Sequence, residues 1–434
     1  MIKLYLKQAW MLIRQNKLFS SLYVLGTGLA IAMTMIIAIV YYIKIAPIYP
    51  EVNRPLTMSL TSVTVKETKQ NNVNIYYSSY TVVKEWFYPL KSAEAVTAIA
   101  NFFNSGYQVE PVGGGEFIPA IVKMIDTNFF KVFEFEFLSG KPFSQADFDS
   151  GIANVVVTES MARRIFGTAD NVVGRTFKLD FAEHKVAGVV RDGSYTMKTS
   201  YAQIYKPFTC TPNYANRNER SDRTGVYTVY FKVRRAADKQ RLYDEVTELL
   251  RKYNVSQSEF VLDFHGQPDT HWQSVFRAGN HPIDWAGVIK LYGGILLALL
   301  LVPALNLSGM ISGRMDQRLS EMGVRKAFGA DRKVLLNQVL WENLLLTCMG
   351  GLVGLVVSWL LLIVSRNWLF SLFESWPGAI PEGIDVSIEP QMLFSPVLFL
   401  IAFGVCVVLN LLSAMYPAWR SLRKNIVYSL NEKK

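Results

Sequence analysis

Residues 314–332 read Arg-Met-Asp-Gln-Arg-Leu-Ser-Glu-Met-Gly-Val-Arg-Lys-Ala-Phe-Gly-Ala-Asp-Arg, a basic and polar stretch between two long apolar runs. Wound as a helix, the stretch has a basic face beside an apolar face. The basic face contains Arg314, Arg318 and Arg325, and the apolar face contains Met315, Leu319 and Met322. This pattern favours a segment that lies along the inner membrane surface and binds a cytoplasmic partner. A solvated loop that obeys the positive-inside rule is the alternative.

Two residues near the end of this stretch predict where one helix ends and the next begins. Gly329 can adopt the left-handed conformation that commonly follows a helix. Asp331 stands where the N-cap of the following helix belongs. We refer to residues 312–333, which contain both positions, as the connector.

The composition indicates a membrane protein with a large water-exposed domain. Of the 434 residues, 50% are hydrophobic and only 18% are charged. Such a chain is too apolar for an ordinary soluble protein and too mixed for a wholly embedded one. A net charge of +10 raises nucleic acid as a partner, but the basic residues are not pooled in one soluble domain. Membrane topology explains them better, so we expect no nucleic-acid partner.

Four apolar runs are long enough to cross a hydrocarbon core of about 30 Å. They occupy residues 19–43, 287–311, 334–364 and 392–416. Before the first run, residues 1–18 predict a basic amphipathic helix on the cytoplasmic membrane face. The Ala30-Ile31-Ala32 motif resembles a signal-peptide cleavage site, but the apolar run continues from Met33 to Ile43, which favours a retained anchor.

Small residues spaced one turn apart occur in the first run. Gly26 pairs with Ala30 in this way, and Gly28 pairs with Ala32. Small residues at this spacing allow another membrane helix to approach closely.

The distribution of charge predicts the topology, because cytoplasmic segments carry an excess of Lys and Arg. Residues 1–18, the connector and the tail 417–434 are basic, whereas the loop 365–391 is acidic. Both termini are therefore predicted to be cytoplasmic, with residues 44–286 outside. The predicted fold class is an α+β membrane protein: four transmembrane helices, with a large mixed α/β extracytoplasmic domain between helices 1 and 2.

Within residues 44–286, alternation and β-branched residues predict strands between helices with a core-facing stripe. The predicted strands are 59–65, 73–79, 117–125, 155–158, 184–190 and 226–233. The predicted helices are 81–90, 159–166 and 236–253.

No catalytic or metal-binding pattern emerges from the chain. His265, His271 and His281 are spaced by six and ten residues, which matches no helical or hairpin ligand pair. The chain lacks a Walker motif, a nucleophile elbow and an H-E-x-x-H motif. We therefore expect a non-catalytic subunit with no catalytic residue, no metal and no cofactor of its own.

Three polar residues fall inside the predicted spans. They are Asn306, Glu342 and Asn410. Glu342 is the only acidic residue there, and we expect it to pair with a basic residue of the connector or with Asn306. A proton relay or a substrate contact is the alternative role.

Residues 319–332, followed by Gln338 and Glu342, resemble the signature of the MacB/FtsX family of ABC transporter permeases. That family's run reads roughly R-E-I-G-I-R-K-A-L-G-A-S-R, with a glutamate in the next helix. Residues 129–143, 155–167 and 186–192 are similar to the family's extracytoplasmic domain, and residues 416–420 are similar to the start of its tail. Ser320 and Ile426 depart from the family pattern, which usually has a basic residue and a proline at these places.

The resemblance implies a permease of the bacterial inner membrane that works by mechanotransmission. ATP and Mg²⁺ would bind a separate ABC ATPase subunit, since only 18 residues precede the first predicted span. The resemblance also implies a homodimer, or a heterodimer with a similar permease, in contact with membrane lipid. A periplasmic adaptor and an outer-membrane channel are further candidate partners. The residues implied in ATPase docking are Arg314, Arg318, Glu321, Gly323, Arg325, Lys326 and Gly329.

Three functions remain open from the sequence. The first is export of a peptide, antibiotic, lipid or lipoprotein. The second is an FtsX-like transducer that regulates a cell-wall hydrolase, and the third is a membrane-anchored receptor without an ATPase. An elaborate connector beside a motif-poor outer domain argues against the receptor.

Overall fold

The computed structural model describes residues 10–11, 14–15, 17–68, 73–101, 106–215, 223–317, 319–368, 392 and 395–423. These residues form two compact units. The helical unit draws on residues 1–42, 285–381 and 388–434, and the sheet unit draws on residues 43–284 and 382–387. Most of the predicted helix 1–18, most of the loop 365–391 and residues 424–434 of the tail lie outside the described residues.

The helices, in chain order, are α1 (Lys17–Ile45), α2 (Tyr80–Val82), α3 (Phe129–Val132), α4 (Gln145–Asp149), α5 (Glu159–Phe166), α6 (Lys239–Ser256), α7 (His271–Ser274), α8 (Trp285–Gln317), α9 (Leu319–Ala327), α10 (Arg332–Val364) and α11 (Pro396–Leu422). A π-helical turn, Val83–Phe87, follows α2 directly. Short 3-10 turns occur at Arg54–Leu56, Phe208–Cys210 and Ala236–Asp238.

Among the described residues, three helices are long and apolar enough to cross a membrane, namely α1, α10 and α11. The fourth predicted span falls on α8, a continuous helix of 33 residues. Within α8, the described apolar stretch is Trp285–Ala298, which is shorter than a span. Three of the four predicted spans thus correspond to helices able to cross a bilayer, and the fourth stays a prediction.

Helix α11 extends beyond the predicted end of the fourth span at residue 416. It continues through Pro417 to Leu422. Ala418 and Leu422 are buried against other helices of the unit, and this packing holds the last turns in helical form.

Glycines bring the backbones of α1 and α10 into close contact. A Cβ atom built on Gly354 of α10 would lie 2.6 Å from the backbone oxygen of Gly28 in α1, and one built on Gly28 would lie 3.1 Å from the backbone oxygen of Gly350. On another side of α10, a Cβ on Gly351 would collide with the ring of Phe403 in α11. The expectation that Gly28 permits a close helix approach is therefore confirmed.

For Gly26 the same expectation stays a prediction. A Cβ on Gly26 would meet no described atom within 4 Å. The neighbouring side chains Leu22, Leu25 and Leu29 are exposed, so this side of α1 has no described neighbour.

The strands of the sheet unit, in chain order, are β1 (Thr57–Leu60), β2 (Val63–Glu67), β3 (Val73–Ser78), β4 (Ala95–Ala100), β5 (Tyr107–Glu110), β6 (Ile118–Ala120), β7 (Val122–Ile125), β8 (Phe137–Gly140), β9 (Asn154–Thr158), β10 (Thr176–Leu179), β11 (Ala182–Val190), β12 (Ile204–Pro207), β13 (Thr224–Gly225), β14 (Tyr227–Lys232), β15 (Phe260–Asp263) and β16 (Asp269–Thr270). Along the described path the order is β15-β2-β3-β14-β4-β7-β12-β9-β11-β10-β5-β6. The β7–β12 and β9–β11 pairs are parallel.

The segment from β9 to α5 shows how local sequence sets this fold. Three consecutive valines favour the buried strand β9. The side chain of Thr158 then caps α5 by accepting a hydrogen bond from the backbone N–H of Met161. Gly167, with φ of 76°, ends the helix in the left-handed region. The predicted helix 159–166 is confirmed at both ends.

Several predicted elements needed correction. The predicted strands 59–65 and 117–125 are each two strands, interrupted at residues 61–62 and at Ile121. The predicted helix 81–90 begins at Tyr80 and becomes π-helical from Val83. Strands β4 and β12 were missed because they are buried on both faces, so their sequences show no alternation of polar and apolar residues.

The glycine contacts generate a testable prediction for Gly354→Ala. The new methyl group would force α1 and α10 apart, at a cost of about 1–3 kcal/mol. Thermal unfolding of the full chain in detergent should therefore show a lower midpoint. Gly404→Ala in α11 is the matched control, because a Cβ there meets no described atom within 4 Å. An equal response of the two variants would contradict the close contact.

Candidate docking site on the connector

The connector folds as a short helix that leads through a tight turn into the next long helix. Helix α9 ends at Ala327, and Gly329 has a φ of 89°. The side chain of Asp331 accepts a hydrogen bond from the backbone N–H of Lys333 and caps α10. The predicted helix stop at Gly329 and the predicted N-cap at Asp331 are both confirmed.

One face of α9 is anchored in the core of the helical unit. Met322 is 2% exposed and belongs to a cluster with residues of α1, α8, α10 and α11. The buried members of this cluster are Tyr23, Ile311, Met315, Met322, Leu335, Val339, Leu346, Ala414, Ala418 and Leu422. Among the described residues, four long helices thus contribute side chains to the cluster that contains Met322.

Two cationic side chains of α9 also form hydrogen bonds that hold this helix in place. Arg325 donates from Nη1 to Oε1 of Gln338 at 2.9 Å and from Nη2 to Oε1 of Glu321 at 2.6 Å. Lys326 donates from Nζ to the backbone oxygen of Leu422, at the end of α11, at 2.6 Å. Charge-assisted hydrogen bonds of this kind are the strong ones. These three predicted docking residues thus have partners within the chain, and Gly323 is buried.

Two of the three predicted intramembrane polar residues are buried, and the expected pairing of Glu342 with a basic residue of the connector or with Asn306 stays a prediction. Glu342 is 2% exposed on α10, but the side chain that Arg325 reaches is Gln338, one turn earlier. Asn410 of α11 donates to Oγ1 of Thr347 on α10 at 3.4 Å. The side chains of Asn306, Arg314 and Arg318 lie outside the described part of the chain.

The exposed surface of the connector is apolar with a basic border. Phe328 is 90% exposed and Val324 is 45% exposed, and Val334, the first residue after the connector, is 44% exposed. Arg332 and Lys333, next to this surface, are exposed as well. We call these five residues the connector tip.

Sequence reasoning missed the residue that dominates this surface. Phe328 does not belong to the apolar face formed by Met315, Leu319 and Met322, and it directly precedes the turn at Gly329. A large aromatic residue off the core-facing stripe, beside a predicted turn, is the signal that would have identified it. Large exposed apolar groups of this kind mark interaction sites.

Comparison with known proteins gives two family matches. The MacB-like periplasmic core domain matches residues 20–249, and the FtsX-like permease C-terminal domain matches residues 293–426. Among solved structures, the periplasmic region of MacB from Actinobacillus actinomycetemcomitans is 20% identical, with a TM-score of 0.34, and the match covers 51% of this chain and 95% of that chain.

Three relatives illustrate the range of similar proteins. The macrolide export ATP-binding/permease protein MacB of Agrobacterium fabrum is 23% identical over 72% of this chain and 43% of its own length. An ABC transporter permease, YknZ, of Bacillus subtilis is 24% identical over 66% of this chain and 65% of its length. The pyoverdine export ATP-binding/permease protein PvdT of Pseudomonas fluorescens is 24% identical over 70% of this chain and 42% of its length. The chain thus spans less than two thirds of each of these relatives.

The contact between Arg325 and Gln338 can be tested by a double-mutant cycle. Arg325→Met leaves the buried amide of Gln338 without its donor and should lower stability by about 1–3 kcal/mol. Gln338→Leu combined with Arg325→Met removes both partners, and this double variant should be more stable than Arg325→Met alone. Thermal unfolding in detergent measures each step. Strictly additive effects would show that the two side chains do not interact.

Proposed function

This chain belongs to the MacB/FtsX-type family of ABC transporter permeases, and we propose that it is the membrane subunit of an exporter driven by a separate ATPase. The proposal places the protein in the bacterial inner membrane, with both termini cytoplasmic and the sheet unit in the periplasm. ATP and Mg²⁺ would bind the ATPase subunit, and this chain would supply no catalytic residue.

The observation that carries the proposal is the contrast between the two sides of the connector. Met322, Arg325 and Lys326 fix α9 to the helical unit, whereas Phe328 is 90% exposed. A segment that is held rigidly and exposes an aromatic side chain is suited to bind a partner and to transmit the movement of that partner. The basic residues Arg332 and Lys333 would favour an acidic border on the ATPase around an apolar pocket.

We propose that the contacts made by α9 convert ATPase movement into helix movement. In a dimer, formed by two copies or by this chain and a similar permease, ATP binding would draw the two connectors together. Because α9 is bonded to α10 and α11 and shares a buried cluster with α1 and α8, its displacement would move the inner ends of these four helices. The sheet unit would then change shape and move cargo outside the membrane, which is mechanotransmission.

The proposed cargo is an antibiotic, a peptide, a lipid or a lipoprotein. Relatives named as macrolide and pyoverdine exporters favour export of a small antibiotic or peptide-like compound, and lipid or lipoprotein cargo remains within the proposed class. A periplasmic adaptor and an outer-membrane channel would complete such an exporter. These names also favour export over the alternatives of an FtsX-like signalling transducer and a receptor without an ATPase.

Phe328→Asp tests the docking site. The substitution should leave the fold intact, since the side chain is exposed, but it would put a charge into the proposed apolar contact. Loss of an interface anchor commonly costs about 2 kcal/mol or more, which corresponds to at least a tenfold loss of affinity. We expect the chain, extracted gently from its native host with nucleotide present, to bring down much less ATPase than the wild type.

Phe181→Asp is the matched control, because Phe181 is also strongly exposed, at 79%, but lies in the sheet unit. Gly323 and Arg325 are poorer test positions, since changes there would also disturb the packing of α9. Equal ATPase recovery with both Asp variants would refute docking at the connector tip. If the wild type itself brings down no ATPase, the exporter proposal fails.

A further inference from the structure

The C-terminal end of α1 is capped by side chains from distant parts of the sheet unit. The last carbonyl groups of a helix have no partner within the helix. Here Nη1 of Arg54 donates to the backbone oxygen of Ile43 at 2.5 Å and to that of Ala46 at 2.8 Å. Nε2 of His271 lies 2.9 Å from the backbone oxygen of Lys44. All of these residues belong to the sheet unit, so the final turn of α1 is part of it.

A buried carboxylate holds Arg54 in place. Oε2 of Glu51 accepts a hydrogen bond from Nε of Arg54 at 2.8 Å. Oε1 of Glu51 accepts from the backbone N–H of Ser200 at 3.0 Å and from its hydroxyl at 2.7 Å. Glu51 is 1% exposed and Arg54 is 6% exposed. Because both charges are buried and hydrogen-bonded, neither can leave without stranding the other.

The protonation states suit this arrangement. Burial and the adjacent charge of Arg54 lower the pKa of His271, so its ring is neutral near pH 7 and Nε2–H donates to the carbonyl of Lys44. Burial opposes ionisation of Glu51, but the charge of Arg54 and the hydrogen bonds from Ser200 and Arg54 hold the pKa of its carboxyl below the usual value.

The network joins three segments that are far apart in the sequence. Glu51 and Arg54 lie where the chain enters the sheet unit, Ser200 lies in the loop between β11 and β12, and His271 lies near where the chain leaves it. A second buried ion pair, between Asp269 and Arg277, stabilises the segment through which the chain leaves the sheet unit. The incoming and outgoing ends of the sheet unit are therefore tied to each other at the final turn of α1.

We propose that Arg54, oriented by Glu51, is the positioning residue through which α1 moves the sheet unit. This inference rests on the proposed function and adds the place where movement passes from the helix to the sheet. Any shift of the helix end separates Arg54 or His271 from its carbonyl group and leaves a buried donor unpaired. The three segments consequently move with the helix end as one body, because breaking the network costs more than moving it.

The double variant Glu51→Gln with Arg54→Met tests this role. Removing both charges avoids a stranded buried ion, so the variant is more apt to fold than either single change. The control is Glu159→Gln with Arg163→Met, which removes an exposed ion pair of the same type. Each full chain is purified with its ATPase, and amide hydrogen exchange in the sheet unit is compared without nucleotide and after trapping with Mg-ATP and vanadate.

We expect the wild type and the control to show a nucleotide-dependent change of exchange in the strands of the sheet unit. The Glu51→Gln, Arg54→Met variant should keep its bound ATPase and its ATP hydrolysis, but should lose this change. A variant that retains the full change would overturn the role of Arg54. Should the double variant not fold, His271→Phe, which removes only the contact with Lys44, is expected to reduce the change, and an unaltered response would again overturn the inference.

These outcomes separate the inference from the proposed function. Loss of ATPase from the wild type would refute the exporter proposal itself. A wild type that binds ATPase but shows no nucleotide-dependent change would refute mechanotransmission, and with it the role of Arg54. Retained ATPase with a lost response only in the Glu51 and Arg54 variant supports both.

Discussion

Carbonyl groups at the ends of long helices need hydrogen-bond donors, and in this chain cationic or imidazole side chains from other segments provide them. Arg54 and His271 serve the end of α1, and Lys326 serves the end of α11. Each donor also fixes the segment that carries it, and the helix dipole favours the positive charges of Arg54 and Lys326 at these C-terminal ends. Both structural units therefore use helix ends as points of attachment.

The need of helix ends for hydrogen-bond donors explains why different residues of the connector have different roles. The residues that most resemble the family signature, Arg325 and Lys326, hold α9 against α10 and α11. What remains for a partner is the connector tip, with Phe328 at its centre. A docking surface of this kind depends on two sets of residues, one that touches the partner and one that keeps the first set in place.

The sequence predicted features that depend on local patterns. Apolar length identified α1, α10 and α11, and Gly329 and Asp331 marked the turn before α10 correctly. Features that depend on the path of the folded chain were not predictable. Strand β4 is buried on both faces and lacks a polar alternation, and the contact of Arg325 with Gln338 depends on how the chain folds back after the turn at Gly329. The contact of Glu51 with Ser200 joins residues 149 positions apart.

The glycines of α10 determine how closely this helix contacts α1 and α11. Gly350 and Gly354 set the backbone of α10 against that of α1, and Gly351 receives the ring of Phe403 from α11. At the α1 contact the side chains of Thr27 and Ile31 lie against Gly350 and Gly354, so a slide along the helix axes would drive these side chains into the neighbouring turns of α10. Pulling the helices apart would open a gap that no glycine can fill. This part of the bundle should therefore resist both sliding and separation.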